Sequence, residues 1–315
     1  MTYQKFLKVG DVFKVLHVKT LLVVSLCILL QACATPGDKL DLYAREKGYT
    51  RSTLRISGFE LLVYQNKVQW IPRMKESSEN PLVLHVYLEG DGTPWRYRTV
   101  IMSDPTPRQP LMLRLMSLDK QPSVYIGRPC YNGSSRDPGC TSRLWTSGRY
   151  SEQVVASMTD AINVLVNRYK PDQIRLFGHS GGGALAMLIA EQLPKVVKVV
   201  TLAGNLDTDA WIEHHGYSPL YSSLNPAQRP PLSHSIRQWH LVGERDSIVP
   251  PQLVKPFIQS QPAADGFSFS GYDHGCCWMS LWPRVLKTID VDKPKLLLAD
   301  HFKTSESPAS LSGNQ

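Results

Sequence analysis

Short apolar runs and longer amphipathic stretches alternate along the chain, and this alternation predicts an α/β domain. Runs rich in Val, Leu and Ile are typical of buried strands. Stretches with apolar residues at i, i+3, i+4 and i+7 are typical of helices that pack one face on a core. Predicted strands occupy residues 54–64 (a pair interrupted at Gly58), 81–88, 123–126, 174–177, 195–202, 238–242 and 267–269. Predicted helices occupy residues 110–118, 150–169, 184–193, 251–258 and 278–289.

The order of these elements also predicts the domain organisation. Strands that alternate with helices form a mostly parallel sheet with helices on both faces, so we predict one such domain over residues 50–300. Residues 205–235 break the alternation, are rich in Pro and Tyr, and are interpreted as a small cap. Residues 33–49 are interpreted as a polar tether and residues 301–315 as a disordered tail. Functional loops are expected at the carboxyl ends of the strands.

The N-terminal segment differs from the rest of the chain. Four lysines precede an apolar run over residues 21–30, which is too short for a comfortable membrane span and follows the order of a secretory signal. The run ends in Leu30-Gln31-Ala32-Cys33, which resembles the lipobox of bacterial lipoproteins. An uncleaved helical anchor with an incidental cysteine is the alternative.

The lipobox resemblance has consequences for location. It implies that residues 1–32 are a signal peptide and that Cys33 is lipidated and becomes the first residue of the mature protein. Ala34 follows, so there is no Asp at that position to favour retention in the inner membrane. The resemblance therefore implies a protein anchored by lipid to a bacterial outer membrane and facing the periplasm.

Composition narrows the function classes. The chain has 315 residues, of which 42% are hydrophobic, and a formal net charge of +8, enough apolar content for one large core or two modest ones. No Lys/Arg block or basic–aromatic stripe indicates nucleic-acid binding.

Four cysteines lie beyond the predicted signal peptide and Cys33, namely Cys130, Cys140, Cys276 and Cys277. In an oxidising compartment they could form two disulfides, and three pairings are open. None has zinc-ligand spacing, and no metal is predicted.

The most informative motif is Gly178-His179-Ser180-Gly181-Gly182. It stands between a predicted strand and a predicted helix, which is the context of a nucleophile elbow. Such a turn is so tight that a Cβ at Gly178 or Gly182 would collide with its neighbours. A flexible glycine loop is the alternative, and the apolar flanks argue against it.

A serine nucleophile needs an imidazole to take its proton and a carboxylate to hold the imidazole tautomer. Asp246 follows the predicted strand 238–242, and His274 follows the strand 267–269. Asp246 could instead cap the next helix, and His274 could be a surface residue. Asp207 and Asp209 are the alternative acids, after the strand 195–202. His179 is expected to point away from Ser180.

The order Ser, Asp, His and the run Gly243-x-x-Asp246-x-Ile248-Val249-Pro250 resemble the α/β-hydrolase superfamily over about residues 80–290. The resemblance implies the α/β-hydrolase fold and an acyl-enzyme mechanism. By it, Ser180 is the nucleophile, His274 the general base and acid, and Asp246 the orienting carboxylate.

The same resemblance implies an oxyanion hole. Its donors would be the backbone N–H groups of Gly181 and Asp91, the latter in the loop after the strand 81–88. Glu89 stands where relatives often have His. The string Glu89-Gly90-Asp91-Gly92-x-x-Trp95 also resembles a group of bacterial α/β-hydrolase lipoproteins.

The expected function is that of a membrane-anchored serine hydrolase acting on a small-molecule or lipid ester. Two alternatives stay open. One is a peptidase or amidase that uses the same triad, and the other is a non-catalytic binding lipoprotein on a hydrolase fold. No cofactor is implied.

Overall fold

The computed structural model describes residues 35–68, 81–289 and 300–303. The strands are β1 Thr50–Ile56, β2 Phe59–Gln65, β3 Val83–Leu88, β4 Trp95–Arg96, β5 Val100–Ile101, β6 Ser123–Ile126, β7 Gln173–His179, β8 Val196–Leu202, β9 Arg237–Gly243, β10 Ala264–Phe269 and β11 Asp300–Lys303. The α-helices are α1 Pro36–Glu46, α2 Leu111–Met116, α3 Glu152–Tyr169, α4 Gly181–Ala190, α5 Thr208–His215, α6 Pro251–Ser260 and α7 Trp278–Thr288. None of the helices in these described ranges combines the length and apolarity that a bilayer crossing needs.

Nine of the described strands form one sheet, in the order β1-β2-β6-β3-β7-β8-β9-β10-β11. The six central strands, β6 to β10 in that order, are parallel. Antiparallel pairs stand at both edges, with β1 and β2 at one and β11 at the other. Because the central strands are parallel, their carboxyl ends lie at one edge of the sheet, and the loops that follow them meet there.

Helices cover both faces of this sheet, and each face has its own apolar core. One core packs α3, α4 and α6 on side chains such as Leu84, Val86 and Leu88. The other packs α1, α2 and α7 on side chains such as Tyr87 and Phe177. Neighbouring residues of β3 therefore point to opposite faces, as the period of a strand requires. Both sides of β3 are buried, which explains its nearly continuous apolar sequence.

The structure confirms the predicted fold class, a mostly parallel sheet with helices on both faces. The predicted strand pair interrupted at Gly58 is the hairpin of β1 and β2, and the strand 123–126 is matched residue for residue. The predicted helix over 150–169 begins slightly later, at Glu152. The side chain of Ser151 caps it by accepting a hydrogen bond from the N–H of Val154 at 3.4 Å.

Two expectations at the ends of the domain are corrected. The expected tether over 33–49 is largely the helix α1, whose side chains Leu40 and Ala44 are buried in the core. Thr35 and Asp38 cap its N-terminus reciprocally in a capping box, which satisfies two otherwise unpaired donors. Residues 301–303, which were expected to belong to a disordered tail, are part of β11, which pairs with β10.

The described structure also assigns the disulfides that the sequence left open. Cys130 pairs with Cys140 and closes the loop after β6, and Cys276 pairs with its neighbour Cys277 between His274 and α7. The predicted signal peptide 1–32 and Cys33 lie outside the described residues, as do residues 304–315.

Candidate active site

Ser180 lies on a sharp turn between β7 and α4. Its backbone has φ 52° and ψ −122°, a left-handed conformation that non-glycine residues adopt only where the surroundings hold it. A Cβ on Gly178 would lie 2.2 Å from the carbonyl oxygen of Gly182, and one on Gly182 would lie 2.2 Å from that of Leu88. Both glycines are therefore needed, as predicted, because backbone occupies the space of any larger residue.

The loops after β9 and β10 bring Asp246 and His274 together. Oδ2 of Asp246 lies 2.9 Å from Nδ1 of His274. Its other oxygen, Oδ1, accepts the N–H groups of Ile248 and Val249 at 2.8 Å each. The carboxylate is fully buried, so both of its oxygens are satisfied and fixed. Asp246 therefore has both of the roles that the sequence left as alternatives. It holds the imidazole of His274, and it caps the chain ahead of α6.

The alternative acids lie elsewhere in the structure. Asp207 caps α5 by accepting the N–H groups of Asp209 and Ala210, and it also accepts a hydrogen bond from the side chain of Asn225 at 3.0 Å. Asp209 accepts a hydrogen bond from the side chain of Gln228 at 2.6 Å. The structure brings neither of them to His274.

Ser180 and His274 line the same cavity, whose volume is about 890 Å³. The hydrogen bonds of His274 within the described residues use Nδ1 and the backbone carbonyl, and the carbonyl accepts from His179 and Trp278. None of these bonds involves the Ser180 hydroxyl, and hydrogen bonds of this kind are often long before a substrate binds. Because Asp246 occupies Nδ1, the free nitrogen Nε2 is the one that can exchange a proton with a group in the cavity.

His179 makes a contact that the sequence did not predict. Its side chain was expected to point away from Ser180. It lines the same cavity, and its Nε2 lies 2.8 Å from the carbonyl oxygen of His274. Burial, with a further contribution from the neighbouring His274, lowers the pKa of His179 to about 3. A neutral imidazole can donate one hydrogen bond from Nε2, so His179 supports the backbone that carries His274.

The loop after β3 is held by a buried ionic cluster that the sequence did not predict. The carboxylate of Asp91 lies 2.5 Å from the guanidinium of Arg128 and 2.9 Å from that of Arg149. It also accepts from the hydroxyl of Tyr150 at 2.6 Å. Burial opposes ionisation of Asp91, but the charges of Arg149 and Arg128 prevail and hold its pKa well below the usual range.

This cluster reaches the Ser180 turn. A Cβ on Gly181 would lie 2.0 Å from Oδ1 of Asp91 and 2.5 Å from the hydroxyl of Tyr150. A Cβ on Gly90 would lie 3.3 Å from Cβ of Ser180. The two segments that were expected to supply oxyanion donors, around Asp91 and Gly181, are thus in direct contact beside Ser180.

The cap region 205–235 contributes the opposite wall of the cavity. Trp211 and residues 217–221 line it, and Trp95 lines it from the loop after β3. Trp211 and His215, both on α5, lie with a ring nitrogen 2.7 and 2.8 Å from the carbonyl oxygen of Ile248. The cap helix is thus hydrogen-bonded to the turn that carries Asp246. The described residues contain no cluster of His, Cys, Asp or Glu that could hold a metal ion.

Glu89 is a second buried carboxyl in the cavity wall. Its oxygens accept the N–H groups of Met112, at 3.0 Å, and of Gly90, at 3.3 Å. Burial raises its pKa from 4.5 to about 7, although these backbone hydrogen bonds partly oppose the shift. The folded state therefore binds a proton that the unfolded chain releases at lower pH.

We expect this carboxyl to make the protein less stable as the pH rises. Its contribution to the free energy of unfolding is fully present below the unfolded pKa of 4.5 and is lost as the pH passes through about 7. The whole shift corresponds to roughly 3 kcal/mol. Denaturant unfolding at about pH 5 and about pH 8 should show Glu89→Gln gaining on the parent at the higher pH. An equal pH dependence in the two proteins would contradict this expectation.

Comparisons with known proteins agree with this architecture. A family model described as the alpha/beta hydrolase fold matches residues 117–241, which include Ser180. No curated protein sequence matches the chain. An esterase from Pyrococcus furiosus has a TM-score of 0.53 and 11% identity, over 78% of this chain and 90% of that one.

Two further solved structures are similar. A membrane phospholipase A, described as a bacterial virulence factor, has a TM-score of 0.50 and 15% identity, over 87% of this chain and 94% of that one. A puromycin-hydrolysing peptidase from Mycobacterium tuberculosis has a TM-score of 0.53 and 17% identity, over 77% of this chain and 38% of that one. Identities this low establish architecture alone. The chain has the α/β-hydrolase fold.

Proposed function

We propose that the protein is a serine hydrolase that cleaves carboxylic esters through an acyl-enzyme. The observation that carries the proposal is the Asp246–His274 pair. Nδ1 of His274 lies 2.9 Å from the buried carboxylate of Asp246, and His274 lines the same cavity as Ser180. The Asp246–His274 hydrogen bond could form without the strained backbone of Ser180, so folding of that pair does not explain the strain. Together the three side chains form the set that activates a hydroxyl.

The chemistry follows from these positions. Oγ of Ser180 attacks the ester carbonyl carbon, and Nε2 of His274 takes the hydroxyl proton. The N–H groups of Gly181 and Asp91 stabilise the oxyanion. The intermediate then expels the alcohol, which takes the proton from His274. Water repeats the sequence on the acyl-enzyme, releases the carboxylic acid and restores Ser180.

The choice of an ester substrate rests on the cavity and on the similar structures. The cavity wall carries apolar and aromatic side chains from the cap and from the loop after β3, which suits an acyl or aryl group. An esterase and a phospholipase are among the similar structures. A peptidase is too, so matched ester and amide substrates belong in the assay.

The first prediction concerns the nucleophile. Ser180→Ala should abolish labelling by a fluorophosphonate probe and lower kcat for a short-chain ester by on the order of 10⁶, because no other group can form the acyl-enzyme. The purified variant should keep the parent's circular dichroism and melting temperature. Labelling that persists in a folded Ser180→Ala protein would end the assignment.

The second prediction concerns the acid. Asp246→Asn should keep the hydrogen bonds to Ile248 and Val249 but present an amide N–H to His274, which favours the wrong imidazole tautomer. We expect kcat to fall by roughly 10⁴ with little loss of stability. Asp207→Asn is the matched control, because Asn caps a helix about as well as Asp. If the control loses activity and Asp246→Asn does not, the acid belongs to the loop after β8.

We also propose that the protein is anchored by lipid at Cys33 to the outer membrane and faces the periplasm. The lipobox-like end of the apolar run supports this proposal. Two disulfides among the described residues are consistent with an oxidising compartment. A lipoprotein cysteine carries several acyl chains, which anchor far more firmly than one.

The parent protein should therefore incorporate labelled palmitate, fractionate with outer membranes, and begin at Cys33 after processing. Cys33→Ser should remove the label and leave at most an uncleaved precursor. Metabolic labelling followed by membrane fractionation of both proteins measures this. An unlabelled parent in the soluble fraction would rule out the anchor and leave the hydrolase proposal untouched.

A further inference from the structure

Exposed apolar side chains gather around the opening of the cavity. Seven large hydrophobic side chains are exposed in the part of the chain that the structure describes. Leu42 lies on α1 and is the exception. The other six are Trp95, Tyr97, Val100, Ile101, Tyr221 and Ile248. Trp95, Tyr221 and Ile248 line the cavity themselves. Scattered exposed hydrophobics are ordinary, but a cluster around one site marks a surface that contacts something apolar.

Four of the six belong to one small hairpin, which we call the mouth hairpin (residues 94–102). Strands β4 and β5 form it, and the N–H of Met102 donates to the carbonyl of Pro94 at 2.9 Å. Every residue from 95 to 101 is exposed. The side chain of Tyr97 is 77% exposed and that of Val100 53%, so this apolar surface adds nothing to the core.

The turn of the mouth hairpin is itself unusual. Its two central residues, Tyr97 and Arg98, have φ of 53° and 62°. Hairpin turns with this backbone normally use Asn, Asp or Gly, because larger side chains are strained there. Both side chains are exposed, so packing in the core does not offset this strain.

The mouth hairpin also carries positive charge. Residues 92–109 include three arginines, Arg96, Arg98 and Arg108, but only one carboxylate, Asp104. The guanidinium of Arg96 lies 4.9 Å from the ring centre of Tyr97. That of Arg98 lies 5.4 Å from the ring of Tyr217, which joins the hairpin to the cap. Aromatic, aliphatic and cationic side chains on one exposed rim match the headgroup region of an anionic bilayer.

The point where the N-terminal segment meets the domain lies at the same edge of the sheet. Gly37, in the first turn of α1, packs against the backbone of Asn132 in the loop after β6. The N–H of Asn132 donates to the hydroxyl of Thr106 at 2.6 Å, and Thr106 lies just beyond the mouth hairpin. In sequence, the apolar run over 21–30 ends shortly before α1 begins. The lipid anchor proposed at Cys33 would therefore hold the cavity opening close to the bilayer.

We propose that the mouth hairpin, with Tyr221 and Ile248 beside it, docks on a bilayer surface that carries anionic phospholipid. Tyr97 and Trp95 would lie at the level of the headgroups, Val100 and Ile101 at the boundary of the acyl chains, and the arginines against the phosphates. The cavity with Ser180 then opens toward the lipid rather than toward bulk water. This docking does not require that Ser180 be reactive.

Hydrogen–deuterium exchange measured by mass spectrometry tests the docking directly. The full chain carrying Ser180→Ala is reconstituted in vesicles of phosphatidylcholine alone, or of phosphatidylcholine with an equal part of phosphatidylglycerol. The same N-terminal lipid anchors the protein in both vesicles, so only the surface charge differs. Exchange within residues 94–102 should be slower in the anionic vesicles by roughly tenfold, since each basic side chain near such a surface adds several-fold to binding.

Three variants in that background identify the cause. Tyr97→Ser/Val100→Ser and Arg96→Glu/Arg98→Glu should each lose the difference between the two vesicles. Lys120→Glu/Arg237→Glu, a matched charge reversal at the opposite edge of the sheet, should keep it. The four residues changed in the first two variants are exposed, so the changes do not disturb the core. Exchange in each variant is compared between the two kinds of vesicle, so each variant is its own reference.

Two results would overturn the proposal. Equal exchange of residues 94–102 in both vesicles would show that no anionic surface is contacted. Protection that follows protein concentration in neutral vesicles would show that a second copy of the chain covers the hairpin. Neither result bears on ester hydrolysis, which is measured separately with a soluble substrate on the parent protein, which keeps Ser180.

Discussion

The turn at Ser180 depends on two glycines, because backbone atoms occupy the space that side chains at their positions would need. Carbonyl oxygens of Gly182 and Leu88 occupy the positions that Cβ atoms would need at Gly178 and Gly182. The cost of a non-glycine residue in this left-handed conformation is of order 1–3 kcal/mol, and it is met by packing α4, which is buried along its whole length. The strand, the turn and the helix are therefore a single rigid unit. Every other loop of the site is placed against that unit.

The buried cluster around Asp91 makes this placement possible for the loop after β3. Its partners come from two other loops, Arg128 after β6 and the pair Arg149 and Tyr150 ahead of α3. The hydroxyl of Tyr131 additionally donates to the carbonyl of Asp91 at 3.0 Å. A buried ion pair of this kind adds little net stability, yet removing one partner is costly. The cluster therefore fixes where the loops lie rather than how stable the fold is.

The sequence predicted most of the sheet and the Ser, Asp and His positions because those signals are local. Apolar period, glycine spacing and the acid turn can all be read within about ten residues. The Asp91 cluster could not be predicted, because its members lie up to 59 residues apart and meet only through the sheet order. The helix α1 did leave a local signal, the capping pattern of Thr35 and Asp38 with Pro36, which the polar composition of the segment obscured.

The mouth hairpin escaped prediction for a different reason. Its strands have two residues each, too few to show a period, and its turn lacks the Asn-Gly or Asp-Gly signature of such hairpins. The contact of His179 with the loop after β10 could not be predicted, because that loop lies 95 residues away in sequence. Local patterns thus predicted the scaffold and the candidate triad, whereas the features that surround the triad depend on long-range contacts.

Hydrogen bonds join the cap helix to the turn that carries Asp246. One oxygen of Asp246 holds His274 while the other holds the N–H of Ile248, and the carbonyl of Ile248 in turn is bound by Trp211 and His215 of the cap helix. The cap helix is therefore hydrogen-bonded directly to the turn that carries Asp246. Trp211 and Ile248 also line the cavity, so a group that fills the cavity would contact the same turn that holds the imidazole. The wall of the cavity and the carboxylate that holds His274 therefore meet at one residue, Ile248.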